Sequence, residues 1–134
     1  MRSTAAIGAG LFLSPAAFGQ GAAAGARKKD QINVALIGAG AEGQVLMDAI
    51  IKMGDKSNVQ FQAVCDIWEQ GNLNRVSKIL TAYGKRYGHK GTKYVDYQDL
   101  LEKEKDLDAA IVATPDCWHA PHAIACMKKG LHVY

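Results

Sequence analysis

One short stretch restricts this chain more than any other. The apolar run Ile32–Ile37 leads directly into Gly38-Ala39-Gly40-Ala41-Glu42-Gly43, and a helical pattern follows. In a chain with 14 glycines a G-x-G-x-x-G string can arise by chance. Placed after a buried strand and before a helix, it has a mechanism. Gly38 permits the tight turn. Gly40, without a Cβ, lets a pyrophosphate approach the backbone. Gly43 lets the helix pack close to the strand. The unpaired N–H groups and positive dipole end of the helix then face the phosphates. The alternative is a strand–helix turn that needs glycine only for its backbone angles.

The pattern beyond the loop repeats the same unit. The expected order is a helix from about Gly43 to Met53 with Leu46, Ala49, Ile50 and Met53 on its inner face, then a strand Val59–Cys65. A helix near Leu73–Tyr87 follows, with Leu73, Val76, Leu80, Tyr83 and Tyr87 spaced three and four apart. A short strand Thr92–Val95, a helix Tyr97–Lys103, a strand Leu107–Ala113, a helix Trp118–Lys129 and a strand beginning at Leu131–Tyr134 complete the chain. Strands alternating with helices predict an α/β fold: a Rossmann-type, doubly wound parallel sheet with helices on both faces. Ligands of such sheets bind at the carboxyl ends of the strands, near Gly38, Asp66 and Thr114.

Residues 1–26 are of a different composition, rich in Ala and Gly and without an acidic residue. Arg2, the apolar stretch Ala5–Leu13, Pro15 and the small residues after it resemble an export signal, with residues 27–31 as a linker and 32–134 as the folded domain. The weak hydrophobicity suits a twin-arginine signal, although only Arg2 is present. A periplasmic or exported location is expected, with a functionless leader and a cytoplasmic location as the alternative. The apolar run is too short to span a membrane, so no stable membrane insertion is expected. The net charge of +3 is small and the basic residues are scattered, which argues against a nucleic-acid partner. Cys65, Cys117 and Cys126 are odd in number and lack metal-ligand spacing. Cys65 and Cys126 suit small buried positions.

Asp66 ends the second strand, 23 residues after Gly43, close to the roughly 20 at which an acid binds the adenosine ribose. Its charge would repel a 2′-phosphate, so NAD is expected in preference to NADP. Asp66 could instead cap a nearby helix. Ile67 and Trp68 follow it, and Trp68 could cover the adenine or pack on the sheet edge. Ala113, Thr114 and Pro115 leave a strand at the edge that carries the glycine loop, and Asp116 could cap the helix beyond. His119 and His122 share a helix face. His119 is a candidate for the nicotinamide end, and no third metal ligand is evident, so no metal is expected. Cys117 has no evident base beside it.

With these residues in view, the chain resembles the N-terminal domain of the glucose–fructose oxidoreductase/inositol dehydrogenase family, Gfo/Idh/MocA. The resemblance rests on Asn33-Val34-Ala35-Leu36-Ile37-Gly38-Ala39-Gly40, Val64-Cys65-Asp66, Ala113-Thr114-Pro115-Asp116 with Trp118-His119-Ala120, and Gly130-Leu131-His132-Val133. It covers Ile32 to Tyr134. It implies an oxidoreductase passing hydride from a sugar or polyol hydroxyl to NAD. Gly38, Ala39, Gly40, Ala41, Glu42 and Gly43 would lie on the pyrophosphate, Asp66, Ile67 and Trp68 at the adenosine, and Ala113, Thr114, Pro115 and His119 at the nicotinamide side. In the family a Glu-Lys-Pro motif follows the last strand, and a C-terminal domain holds the substrate. Neither is in this sequence, so a partial sequence is expected, with no catalytic acid or base of its own. A homo-oligomer is expected for the full-length protein. The alternatives are an NAD-dependent glycoside hydrolase of the same family, which oxidises the sugar only transiently, and a non-catalytic dinucleotide-binding domain. The complete glycine motif and Ala113-Thr114-Pro115 argue against a methyltransferase.

Overall fold

The computed structural model describes residues 30–88 and 90–134. The export-signal and most of the linker expectations therefore lie outside the described residues. Five strands form one parallel sheet: β1 (Ile32–Ile37), β2 (Val59–Cys65), β3 (Thr92–Tyr94), β4 (Ala109–Val112) and β5 (His132–Val133), in the order β3-β2-β1-β4-β5. The connecting helices are α1 (Ala41–Met53), α2 (Asn74–Tyr87), α3 (Tyr97–Lys103) and α4 (Asp116–Lys128). β1 lies in the middle because its run Val34–Ile37 is buried on both faces, as a central parallel strand requires. No helix among the described residues is long and apolar enough to cross a membrane.

The two faces carry separate cores. Val34, Leu36, Phe61 and Val64 pack with Met47 of α1 and Val76, Leu80 and Tyr83 of α2. Ala35, Ile37, Ala63 and Cys65 pack with Leu100 and Leu101 of α3 and Cys126 of α4. Strict alternation along β2 would send Phe61, Ala63 and Cys65 to one face. A bulge prevents it. Val34 pairs with Phe61 and Ala35 with Ala63, which leaves Gln62 unpaired and reverses the side-chain direction beyond it.

Gln62 is held in that bulge by a buried polar residue of β1. The Asn33 Oδ1 accepts from Gln62 Nε2 at 3.1 Å and from Gln31 Nε2 at 2.7 Å. The Asn33 Nδ2 donates to the Asp106 carbonyl at 2.9 Å, and its backbone N–H to Asp108 Oδ2 at 2.7 Å. Asn33 thus ties β1, the bulge and the loop before β4 together at the amino end of the sheet. Asn33→Leu is expected to destabilise the domain by about 1–3 kcal/mol, because the half-buried Gln62 amide loses its acceptor and the Asp106 carbonyl its donor. Chemical denaturation checks this; a loss below about 0.5 kcal/mol contradicts it.

Several boundaries differ from the sequence expectation. The inner face of α1 is Gly43, Leu46, Met47, Ile50 and Ile51, whereas Ala49 and Met53 are exposed. Outside the polar stripe Gln44, Asp48 and Lys52 the helix offers apolar residues on most sides, and the close approach at Gly43 selects the face. α2 is preceded by a π-helical turn, Glu69–Leu73. α4 starts two residues before Trp118, since the extended Pro115 (φ −57°, ψ 147°) is itself the residue that caps it. Asp116 is the first helical residue and so caps nothing. Cys65 and Cys126 are buried and Cys117 is exposed.

Candidate dinucleotide site

The site lies where the strand order reverses, at the carboxyl ends of β1, β2 and β4. Gly38 donates its N–H to the Cys65 carbonyl at 2.9 Å, which extends the β1–β2 ladder by one bond. The chain then turns sharply, with Gly38 at φ +93°. A Cβ on Gly38 would lie 2.5 Å from the Ala113 carbonyl oxygen. A Cβ on Gly43 would collide with the Gly38 carbonyl and touch Leu36 Cδ1 at 3.4 Å. These two glycines are required by the protein itself. Gly40 is different: its backbone (φ −67°, ψ −164°) suits any residue, and the nearest atom to a Cβ there is Asn72 Nδ2 at 3.8 Å. The space over Gly40 is open.

α1 begins at this gap. Gly40 is its capping residue and provides no side-chain acceptor. The N–H groups of Ala41, Glu42 and Gly43 therefore have no carbonyl within the helix and stand at its positive end. Gln44 braces the turn, donating Nε2 to the Ala39 carbonyl at 2.8 Å. Glu42 is exposed in the first turn.

Asp66, half-buried beyond β2, faces the loop. Its Oδ2 accepts the Ala39 N–H at 2.8 Å, and its Oδ1 accepts the Trp68 N–H at 2.8 Å. It caps a turn and not a helix, so helix capping does not account for it. The Asn72 Nδ2 also donates to Oδ2, at 3.3 Å. Two carboxylate oxygens offer about four acceptor positions, so at least one remains for a ligand hydroxyl. Ile67 and Trp68 stand out from the surface, 88% and 61% exposed. Trp68 belongs to neither core layer; its indole lies against Gly71, where a Cβ would collide with the ring. Asn72 is absent from the sequence-based candidates. A π-turn after an acid is the kind of feature that could have pointed to it, but no residue pattern announces that turn.

On the other side, the Ala113 N–H donates to the Ile37 carbonyl at 2.8 Å and sets Thr114 beside the glycine loop. Two histidines of α4 hold Thr114. His119 Nε2 is hydrogen-bonded to the Thr114 carbonyl. A carbonyl only accepts, so Nε2 carries the proton. The Thr114 hydroxyl and His122 Nδ1 share a hydrogen bond of 3.1 Å. His122 is buried between Tyr97, with ring centroids 4.5 Å apart and tilted, and Trp118, stacked at 5.6 Å. The structure thus brings together the glycine loop, Asp66 and Ala113-Thr114-Pro115, with His119 bound to the strand exit.

Burial first, and then the charge of His119, push the His122 pKa below the ordinary histidine value. The unfolded chain takes up this proton near pH ~6.5, and the folded chain only at lower pH. The stability contributed by neutral His122 is therefore complete above that value and is lost as pH falls through the folded pKa. The melting temperature is expected to fall more steeply from about pH 7 to 5 in the parent than in His122→Gln. Parallel slopes in thermal melts contradict this. Burial, followed by the charges of Asp66 and Asp96, pushes the Cys65 thiol up to about 12, so it stays protonated.

An open glycine loop at a helix start, facing a strand-end carboxylate across a topological switch point, defines the dinucleotide-binding class of Rossmann domains. The chain belongs to the Gfo/Idh/MocA oxidoreductase family, NAD-binding Rossmann fold, which it matches over residues 32–134. It is 31% identical over 150 residues to a glycosyl hydrolase family 109 protein of Saccharopolyspora erythraea, covering 99% of this chain and 31% of that protein. It is 36% identical over 107 residues to a glycosyl hydrolase family 109 protein of Stenotrophomonas maltophilia, covering 77% of this chain and 22% of that protein. Among solved structures it resembles the WlbA dehydrogenase of Chromobacterium violaceum in complex with NADH and UDP-GlcNAcA, at 28% identity and a TM-score of 0.59. That similarity covers 78% of this chain and 26% of the dehydrogenase. The myo-inositol 2-dehydrogenase of Lactobacillus plantarum is similar at 25% identity and a TM-score of 0.55, covering 77% of this chain and 27% of that enzyme. The chain therefore spans less than a third of the length of each of these proteins.

Proposed function

We propose that this chain is the cofactor-binding part of an enzyme that oxidises a sugar or polyol hydroxyl with NAD as hydride acceptor. The carboxylate of Asp66 beside the open Gly40 carries this reading. Asp66 accepts hydrogen bonds from the ribose hydroxyls and disfavours a 2′-phosphate, which selects NAD over NADP. The pyrophosphate rests over Gly40 on the N–H groups of Ala41, Glu42 and Gly43. Thr114 and Pro115, fixed through His119 and His122, flank the nicotinamide. Bound NAD supplies the electrophilic ring carbon that takes hydride from the carbinol carbon. The residues of this chain hold and orient the dinucleotide, and none is assigned the hydroxyl proton. The sugar-related ligand of the WlbA dehydrogenase and the inositol specificity of the L. plantarum enzyme support the substrate class. The leader-like composition of residues 1–26 supports an exported enzyme.

A second reading has a specific observation in its favour: the curated relatives named above are glycosyl hydrolase family 109 proteins. In a glycoside hydrolase that uses NAD, hydride leaves the sugar and returns within one turnover. In the enzyme that carries this domain, net NADH formation from a free sugar or polyol supports the dehydrogenase. Release of sugar from a glycoside without net NADH supports the hydrolase. For the domain, calorimetric titration with NAD, NADP and S-adenosylmethionine in parallel is the test. Saturable NAD binding tighter than that of the other two is expected, and preference for either of the others overturns the assignment.

A further inference from the structure

Asn72 belongs to no strand and to no regular α-helix. The π-turn Glu69–Leu73 places it, and that turn is braced at both ends. Lys93 of β3 pairs with Glu69 at 3.5 Å and donates to Asn74 Oδ1 at 3.1 Å. Leu73, next to Asn72, is fully buried in the core. The Asn72 amide is therefore held over two features at once: Asp66 Oδ2, at 3.3 Å, and the open space over Gly40, at 3.8 Å from a Cβ position there. A primary amide has two N–H donors. Among the described residues one of them is used, and its bond is the longest of the three that Asp66 accepts.

We propose that Asn72 is a further cofactor-binding residue, donating from its amide to a phosphate oxygen of the dinucleotide above Gly40. This rests on the dinucleotide reading of the site. One ribose hydroxyl bonds the remaining acceptor position of Asp66 Oδ1. The second displaces the long Asn72 bond at Oδ2. The released N–H then meets the anionic oxygens that enter over Gly40, where no side chain intervenes. The free protein keeps the donor in place by lending it to Asp66, so little ordering is needed when the ligand arrives.

The test is titration of the full chain and of Asn72→Ala with NAD, ADP and adenosine, with circular dichroism to verify the fold. NAD and ADP are expected to bind about tenfold or more weakly to the variant, since a donor to a charged acceptor is lost. Adenosine binding is expected to stay within about twofold, because its ribose meets Asp66 and it has no phosphate. Asn72→Ser, a smaller change in the same turn, is the second variant should the alanine form melt early. It is expected to weaken NAD and ADP in the same sense. Unchanged NAD and ADP affinity overturns the proposal. An equal loss for all three ligands also overturns it, since Asn72 then acts only by orienting Asp66. Failure of the parent chain to bind NAD or ADP overturns the dinucleotide reading itself, and the role of Asn72 with it.

Discussion

Gly38→Ala is expected to lower the melting temperature by more than about 15 °C, or to prevent folding altogether. Two independent costs meet at this position. The backbone sits at φ +93°, where an L side chain is strained by roughly 1–2 kcal/mol. The new Cβ would also stand 2.5 Å from the Ala113 carbonyl oxygen. That oxygen belongs to a strand exit fixed by the Ala113–Ile37 bond, so it cannot retreat without loosening β4 from β1. Overpacking of this kind costs about 1–3 kcal/mol and sometimes more. The sum is a large share of the ~5–15 kcal/mol that holds a domain together. For a domain of this size each kcal/mol corresponds to about 4–8 °C. A thermal melt by circular dichroism decides it, and a shift below about 3 °C would falsify the packing account of the loop.

The second large effect is on affinity. Asp66→Ala is expected to weaken NAD binding by about 100-fold while leaving NADP binding unchanged or slightly improved. Hydrogen bonds to a charged acceptor contribute about 1.5–3 kcal/mol each. The ribose presents two hydroxyls, and part of the loss is offset by water at the vacated position. NADP gains from removal of a negative charge near its 2′-phosphate. The variant also frees the Ala39 and Trp68 N–H groups. Asp66→Asn, which retains an acceptor for the loop, separates local loosening from lost recognition. Parallel calorimetric titrations with the two dinucleotides measure the ratio. Equal losses for NAD and NADP would show that Asp66 only shapes the loop.

The glycine loop and the alternation of strands and helices were readable because each has a local cause. Buried strands are apolar runs, and a turn against a neighbouring backbone needs glycine. The same holds for α2, whose Val76, Leu80 and Tyr83 are polar-flanked and point one way. α1 was readable as a helix but not in its orientation. Its sequence offers apolar residues on most sides, and the contact at Gly43 chooses among them. The bulge at Gln62 left no mark in the sequence, since its partner Asn33 lies 29 positions earlier. Asp66 was found by its distance from the loop. Asn72, only 6 residues further on, was not, because its place depends on a π-turn braced by Lys93 from another strand. His122 was noticed as a neighbour of His119. Its bond to the Thr114 hydroxyl follows from the extended Pro115 starting α4 early, which brings that face of the helix back over the strand exit. Apart from the orientation of α1, the missed features are hydrogen bonds between polar side chains, which neither periodicity nor composition records.

On the proposed reading the glycine loop receives a dinucleotide and is not merely a turn. Gly40 separates the two, because the fold does not need a glycine there. The most direct measurement is calorimetric titration of the parent chain and Gly40→Ala with NAD, alongside their melting curves. The two are expected to melt within about 3 °C of each other, since the Cβ enters open space. The variant is expected to lose at least about tenfold in NAD affinity, since the methyl group fills the approach to the backbone. A variant that melts normally and binds NAD as well as the parent would contradict it, and would leave the loop as a structural turn.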